Sequence, residues 1–531
     1  MAEASQELFE QGNDAMHRGQ VLEARACYER AIALDPQFGN AHFNLGATYQ
    51  AQGLHHLALP HYERGVAFMD DPSIYLGNVL NTKMRLCDWQ GLDALKLQIE
   101  SRVLAGQKTC PPFQVVSFTD SLELHRKAAA LWLEAMPALA LPLFEPRQKG
   151  PDEKIRIAYL SADLQTHPVA YLVAEMFELH DKTRFELVAF SNGHASANDP
   201  YRARIEAAFD SFIDIRNMSD EEVVIRARQM EIDVVVDLTG LTQGGRVSAL
   251  MGRMAPVQIE YLGYPATSSA ANVDYMIADE TLVPPRLQAH YSEKMIYLPH
   301  CFQVSDRQRF SSNHLDNHSA SHMAHGLPEG SFVFCGLCNP YKITPTVFDS
   351  WMRILHAVPH GVLLLGNHNE VMQDNLRTAA KVRGIDQTRL VFGERLLDAT
   401  AYLARYTVCD LFLDTFPYNA GSTANDVLRM DLPLLTLAGE AITGRTAASL
   451  LHTLGLDDLI TDNWHDYEAL AIELATKPER YAAIKRQLAV ARESSPLFHT
   501  AQTTRAIEHG YCLALERYWQ GLPPDHLFVP A

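Results

Sequence analysis

Positive charge is scarce in this 531-residue chain, where 45 Lys and Arg face 64 Asp and Glu, a net charge of −19. Non-specific binding to nucleic acid or to an anionic membrane needs clustered cations that displace counterions, so both are excluded as main functions. Long apolar runs are missing too, and none approaches the ~20 residues that span a bilayer. The opening M-A-E-A-S-Q-E-L-F-E carries three acids and no apolar stretch, unlike a secretory signal. Cysteine is sparse: eight residues cannot build a disulfide framework, and a reducing, cytoplasmic setting is expected. Apolar residues at 47% and charged residues at 21% mark a globular chain rather than a disordered scaffold.

Several motifs are absent as well. Cys335-Gly-Leu-Cys338 has redox or half-zinc spacing, but no second C-x-x-C completes a site, so it reads as a structural pair of small apolar residues. There is neither a Walker A sequence nor G-x-G-x-x-G, which removes the main support for a P-loop ATPase or a standard dinucleotide site. D-x-D is missing, which argues against a metal-chelated sugar nucleotide.

What is present begins with a repeat. Gly12 recurs as Gly46, Ala24 as Ala58 and Tyr28 as Tyr62, a spacing of 34 residues, while Ala31 is answered by Gly65 and Pro36 closes the first unit. This is the tetratricopeptide pattern, in which small residues let two helices approach closely. Residues 74–104 read as a helical continuation. Such an array binds peptides or other chains, or serves as a structural buttress or homodimer contact.

After one more helix, over 121–134, the pattern changes to alternation. β-rich runs fall at Ile155–Leu160, Phe185–Phe190, Ile232–Leu238, Val257–Gly263, Tyr275–Ala278 and Met295–Leu298. A second series falls at Phe332–Leu337, Val362–Leu365, Leu390–Gly393, Leu411–Asp414 and Leu434–Leu437. Strands separated by amphipathic helices predict two doubly wound α/β lobes facing each other across a cleft. The segment between them is rich in Ser, Asn and His. Its His314, His318, His322 and His325 would share a helix face and could hold a metal only if helical, which the intervening Ser, Asn and Asp disfavour; a solvated loop and no metal site are expected.

In open α/β sheets ligands bind at the carboxyl ends of strands. Three loops there carry chemistry: S-A-D-L-Q-T-H-P with His167, C-N-P-Y-K-I-T-P with Lys342, and D-T-F-P-Y-N-A-G-S-T-A-N-D, where Gly421, Ser422 and Thr423 start the helix containing Asp426. The third suits a diphosphate: backbone can approach at Gly421, free amides point outward and two hydroxyls add donors. Lys342 supplies the cation.

Taken together, the repeats, H-P-x-x-x-L, A-P-V-Q-I-E-Y-L-G-Y-P-A-T-S, Y-S-E-K-M-I-Y-L-P, N-P-Y-K-I and D-T-F-P-Y-N-A-G-S-T resemble glycosyltransferase family 41, in order through residues 5–520. That family includes the O-linked N-acetylglucosamine transferases and the SPINDLY O-fucosyltransferases. The resemblance implies a GT-B fold, two Rossmann-like lobes behind an all-α tetratricopeptide superhelix. It also implies inverting, metal-independent transfer of a sugar, foremost GlcNAc from UDP-GlcNAc, to protein Ser or Thr, with no cofactor. Lys342 falls on the lysine that neutralises the departing diphosphate, and Asn339 on a phosphate-contacting amide. Ser422 and Thr423 fall on phosphate-binding threonines, Asp426 on a ribose-contacting acid, and Tyr402 on a ring stacked on the base, with Arg405 nearby. Leu262 and Gly263 match the sugar pocket, and His167 matches the histidine beside the reacting centre.

Three positions depart from the animal enzymes. Gly421 replaces a phosphate-side histidine, Ala399 a ribose-binding lysine, and Tyr418 a smaller Cys near the N-acetyl pocket. These keep a GDP-fucose-dependent O-fucosyltransferase and a non-catalytic peptide-binding scaffold open as alternatives. The expected partners are a nucleotide sugar and protein acceptors held in the repeat groove. The expected organisation is a repeat domain over 1–105, a helical linker over 106–150, an N-terminal catalytic lobe over 151–305, an inter-lobe linker over 306–330, a C-terminal nucleotide-sugar-binding lobe over 331–500, and a C-terminal helix and tail over 501–531.

Overall fold

The fold is that of a computed structural model, which describes residues 2–147, 150, 153–310, 322–394, 396 and 398–531. The chain begins with two helix pairs, Ala2–His17 with Val21–Leu34 and Gly39–Ala51 with His55–Phe68. The 34-residue spacing is a packing device. A Cβ at Gly12 would lie 2.5 Å from the Tyr28 ring, and one at Gly46 would lie 2.8 Å from the Tyr62 ring. Both rings are buried against the partner helix because glycine leaves room for them. Helices Leu76–Leu86, Leu92–Leu104, Pro112–Val116 and Leu122–Glu134 carry the chain on to the first lobe.

That lobe holds β1 (Ile155–Ser161), β2 (Phe185–Ser191), β3 (Ser211–Asp214), β4 (Val234–Asp237), β5 (Val257–Glu260), β6 (Tyr275–Ala278) and β7 (Lys294–Tyr297). The second holds β8 (Phe332–Gly336), β9 (Gly361–Gly366), β10 (Leu390–Gly393), β11 (Leu411–Leu413), β12 (Leu434–Leu437) and β13 (Ile460–Thr461). A last strand, β14 (Leu527–Phe528), returns to the first sheet beside β7. The first sheet runs β14-β7-β6-β5-β4-β1-β2-β3 and the second β10-β9-β8-β11-β12-β13, every pairing parallel. Both therefore contain the doubly wound order 3-2-1-4-5-6, with switch points between β1 and β4 and between β8 and β11. This is the GT-B architecture of two Rossmann-like lobes behind a tetratricopeptide array.

Differences from the sequence reading have local causes. The run Val257–Gly263 stops as a strand at Glu260 because Leu262 turns into the left-handed region at φ 63°. β3, β13 and β14 are additional. β3 is only partly buried and lacks an apolar alternation, while β13 and β14 are two residues each and exist through their neighbours' ladders. The C-terminal helix Thr500–Trp519 crosses back to the first lobe, where its Glu508 carboxylate lies 2.9 Å from His180 Nδ1. In the inter-lobe segment, His322 precedes the short 3-10 turn Met323–His325 and His325 ends it, and His314 and His318 lie outside the described residues. Cys335 and Cys338 are buried free thiols.

Candidate active site

The switch point of the second lobe brings two loops together. The first leaves β8 and forms a 3-10 turn, Pro340–Lys342. The second leaves β11 and leads into the helix Ser422–Arg429. Asp414, at the end of β11, folds the second loop by accepting the amides of Thr415 (2.8 Å) and Ala420 (2.7 Å) and the Thr436 hydroxyl (2.8 Å). Burial pushes its carboxyl up to about 6 against those bonds. Thr415 Oγ1 donates to the Tyr418 carbonyl at 2.7 Å, and Asn419 Nδ2 donates to the Thr415 carbonyl at 2.8 Å.

Lys342 ties the loops. Its Nζ donates to the Asn419 carbonyl at 2.7 Å and lies 4.1 Å from the centre of the Tyr418 ring. Burial lowers its pKa to about 8, partly offset by Cys338 and Asp414. A cation this poorly solvated gains strongly from an arriving anion. Asn339, beside it, is exposed at the mouth of the loop. The Tyr418 ring packs edge-on against Tyr341 (6.0 Å) and Phe113 (6.1 Å), so it is fixed beneath the ammonium.

Gly421 caps the Ser422–Arg429 helix, and no side chain takes up its first amides. Those N–H groups and the partial positive charge of the helix start remain for an anion. A Cβ at Gly421 would meet nothing nearer than Thr446 Cγ2 at 3.9 Å, so the space above it is open. One turn on, Asp426 is buried and pairs with Arg309 through two 2.9 Å hydrogen bonds. Burial raises its carboxyl, and Arg309 opposes that shift. Tyr402 stands on the short helix Ala399–Ala404, its hydroxyl 2.8 Å from that of Tyr406 and the Arg405 guanidinium 5.2 Å from its ring centre.

On the opposite lobe, His167 caps the helix Pro168–Leu179, its Nδ1 accepting the Val169 amide at 3.3 Å. Burial lowers its pKa, which favours the neutral ring. With Nδ1 an acceptor, the proton of that neutral ring sits on Nε2. Asp163 Oδ1 lies 3.5 Å from Nδ1, and burial, helped by Asp237, pushes Asp163 up to about 6. Leu262 and Gly263 follow β5. Gly263 is required by close approach, because a Cβ there would sit 2.0 Å from the Leu238 carbonyl oxygen.

The helical region reaches the Lys342 loop directly. The Arg85 guanidinium lies 5.3 Å from the Tyr341 ring centre, Asn375 Nδ2 donates to the Leu86 carbonyl at 2.9 Å, and Trp89 packs on Phe348 at 5.3 Å. Asp120 accepts the amides of Glu440 and Ala441 at 2.7 and 2.9 Å.

Comparison with known proteins follows the same outline. A model described as glycosyl transferase family 41 matches residues 118–325 and 318–507, and a tetratricopeptide repeat model matches 12–53. The chain belongs to glycosyl transferase family 41. A solved mutant of the Thermobaculum terrenum O-GlcNAc transferase superposes with a TM-score of 0.81 at 25% identity, covering 98% of this chain and 99% of that one. Among curated relatives, the probable UDP-N-acetylglucosamine–peptide N-acetylglucosaminyltransferase SEC of Arabidopsis thaliana is 28% identical over 468 residues, 85% of this chain and 48% of that protein. The Solanum lycopersicum SPINDLY, named for the same activity, is 29% identical over 385 residues, 71% of this chain and 40% of that protein. The chain spans about half the length of the curated relatives it matches or less.

Within this family 41 chain, Lys342, Tyr418 and the Gly421–Thr423 helix start form one group. Asp426, Tyr402 and Arg405 lie further along the same lobe, with Asn339 at the rim. His167, Leu262 and Gly263 sit on the opposing lobe, with no hydrogen bond to the Lys342 group among the described residues. Asp414, Asn419 and Arg309 escaped the sequence reading. An acid ending a buried strand was a usable signal for Asp414, and the charge alternation of D-R-Q-R over 306–309 was one for Arg309.

Proposed function

We propose that this chain transfers a sugar from a nucleoside diphosphate, foremost GlcNAc from UDP-GlcNAc, to Ser or Thr hydroxyls of proteins, with inversion and without a metal. The observation that carries this reading is Lys342, bonded across the switch point to the loop that leads into the uncapped helix start. Lysine, open amides and two hydroxyls make a protein-built cradle for a leaving diphosphate. The names of the SEC, SPINDLY and Thermobaculum relatives support the donor and acceptor classes.

In this mechanism the acceptor oxygen attacks the anomeric carbon as the bond to the diphosphate breaks. Negative charge grows on the phosphate oxygens, and Lys342 with the Gly421–Thr423 amides holds it more strongly in the transition state than in the ground state. His167, with its neutral proton on Nε2, orients the acceptor hydroxyl by donating to it, and the phosphate takes the hydroxyl proton. Peptide acceptors reach the cleft along the helical array, which abuts the Lys342 loop. The Tyr418 ring under Lys342 favours a second reading, a donor sugar without an N-acetyl group, with GDP-fucose as its form.

The test is incubation with UDP-GlcNAc or GDP-fucose and a panel of Ser/Thr peptides, with and without chelator, read by mass spectrometry. Addition of one N-acetylhexosamine, unaffected by chelator, is expected. Deoxyhexose addition would establish the second reading. No transfer from either donor would refute the enzyme reading and leave a binding scaffold.

A further inference from the structure

A cavity opens at the seam between the two lobes and the C-terminal tail, apart from the transfer site. Its volume is about 320 Å³, at the small end of ligand pockets. Glu280 lines it from the turn after β6, and Tyr297 and His300 from the end of β7 and the turn behind it. His452 comes from the last turn of the helix Thr446–Thr453 in the second lobe, and Phe528 from β14. None of the residues given a part in sugar transfer lines this space.

The lining holds acceptors and an aromatic face, and no Lys or Arg. Glu280 is exposed, makes no ion pair among the described residues, and its charge reaches Tyr297. His452 Nδ1 donates to Asp457 Oδ1 at 2.7 Å, so in the neutral ring Nε2 is left as an acceptor. The carboxyl end of the His452 helix adds partial negative charge at the same wall. Phe528 is 57% exposed and stacks on Tyr297 at 4.9 Å, which leaves its outer face uncovered. An uncovered ring face is negative and attracts a cation.

A cation with an apolar stem is the complement of these walls. A metal ion fits them poorly. Glu280, His300 and His452 are ligand types, yet among the described residues no three such side chains gather closely enough to hold one. His300 is also engaged, its Nε2 3.2 Å from Gln502 Nε2. An ammonium accepts scattered partners, because its three donors turn about a flexible stem.

We propose that this cavity binds a small organic amine, its ammonium held by Glu280 and His452 and its hydrocarbon stem laid on the Phe528 ring. The walls come from both lobes and from the tail, so an occupant bridges all three and stabilises the folded chain.

The experiment is calorimetric titration of the full chain with n-butylammonium chloride at fixed ionic strength, with n-butanol as the neutral isostere. One saturable butylammonium site is expected, with butanol weaker by about tenfold or more, the combined scale of two such contacts. Glu280→Gln and Phe528→Leu are each expected to weaken the amine by about fivefold, the upper end for one exposed contact. Both positions are exposed, and Glu280→Gln keeps the side-chain shape, so it carries the test if Phe528→Leu loosens the tail. Glu329→Gln, an exposed acid outside the cavity, should bind the amine as the wild type does. Absence of a saturable site, butanol binding as tightly, or an unchanged affinity in Glu280→Gln would overturn the assignment. Equal weakening in Glu329→Gln would also overturn it, since the amine would then be drawn by the acidic surface at large.

Discussion

Lys342 Nζ donates to the backbone carbonyl of Asn419 at 2.7 Å, joining the loop after β8 to the loop after β11. The ammonium is thereby held at the switch point before any substrate arrives. Preorganised charge of this kind is the largest single contribution most group-transfer sites make. Lys342→Met is expected to reduce turnover by about 10²- to 10³-fold, the scale of a lost donor to developing charge. UDP affinity should fall much less. Single-turnover transfer beside calorimetry separates the two, and equal losses in both would assign Lys342 to ground-state binding only.

The same lysine sets a pH dependence. Burial holds its pKa at about 8 rather than 10.5, so the ammonium is present below that value and lost above it. UDP affinity of the free protein and kcat/KM are expected to decline as pH rises through about 8. Bound diphosphate favours the charged form and moves the limb of kcat to higher pH. A kcat/KM profile flat from pH 7 to 9.5 would contradict this, and Lys342→Met should have no such limb.

His167 is committed at Nδ1 to the Val169 amide. His167→Ala is expected to lower transfer to a peptide by about 10²-fold, the scale of a misplaced reacting group, with UDP affinity unchanged. His167→Asn, which can still cap the helix and donate, should recover part of the loss. Unaltered transfer in His167→Ala would move acceptor positioning elsewhere.

Gly263 sits where a Cβ would lie 2.0 Å from the Leu238 carbonyl oxygen and 2.4 Å from its carbon. Backbone on both sides cannot yield. Gly263→Ala is expected to cost about 2 kcal/mol or more of local stability and to displace Leu262. A lowered thermal midpoint is the check, and wild-type melting would show that the β4–β5 loops can separate.

Arg85 reaches from the helical array to Tyr341, next to Lys342. A cation–π contact of this exposure contributes about 0.5–1 kcal/mol. Arg85→Ala should therefore lower turnover by a few-fold without changing peptide binding. A change confined to peptide affinity would instead place Arg85 in the acceptor path.

Much of this architecture was legible because parallel strands are buried on both faces and appear as short apolar runs. Eleven such runs mark β1, β2, β4 to β7 and β8 to β12. The repeat was legible because Gly12 and Gly46 must make room for Tyr28 and Tyr62. β3, β13 and β14 carry too little apolar pattern of their own, since their existence depends on distant strands. The cleft loops could be picked out by residue type and position at strand ends. The charges of D-R-Q-R over 306–309 flag Arg309 only as a charged turn residue, because its partner Asp426 is more than a hundred residues away in sequence. The Asn419 carbonyl that receives Lys342 is backbone, on which residue type has little bearing.

The proposed diphosphate cradle is built from Lys342 and the open start of the Ser422–Arg429 helix. Calorimetric titration of the full chain with UDP and with UMP, with no divalent metal added, tests it most directly. UDP is expected to bind more tightly than UMP by about tenfold or more, and Lys342→Met to narrow this gap. Equal affinities for UDP and UMP in the wild type would contradict it, because the second phosphate would then meet nothing built to receive it.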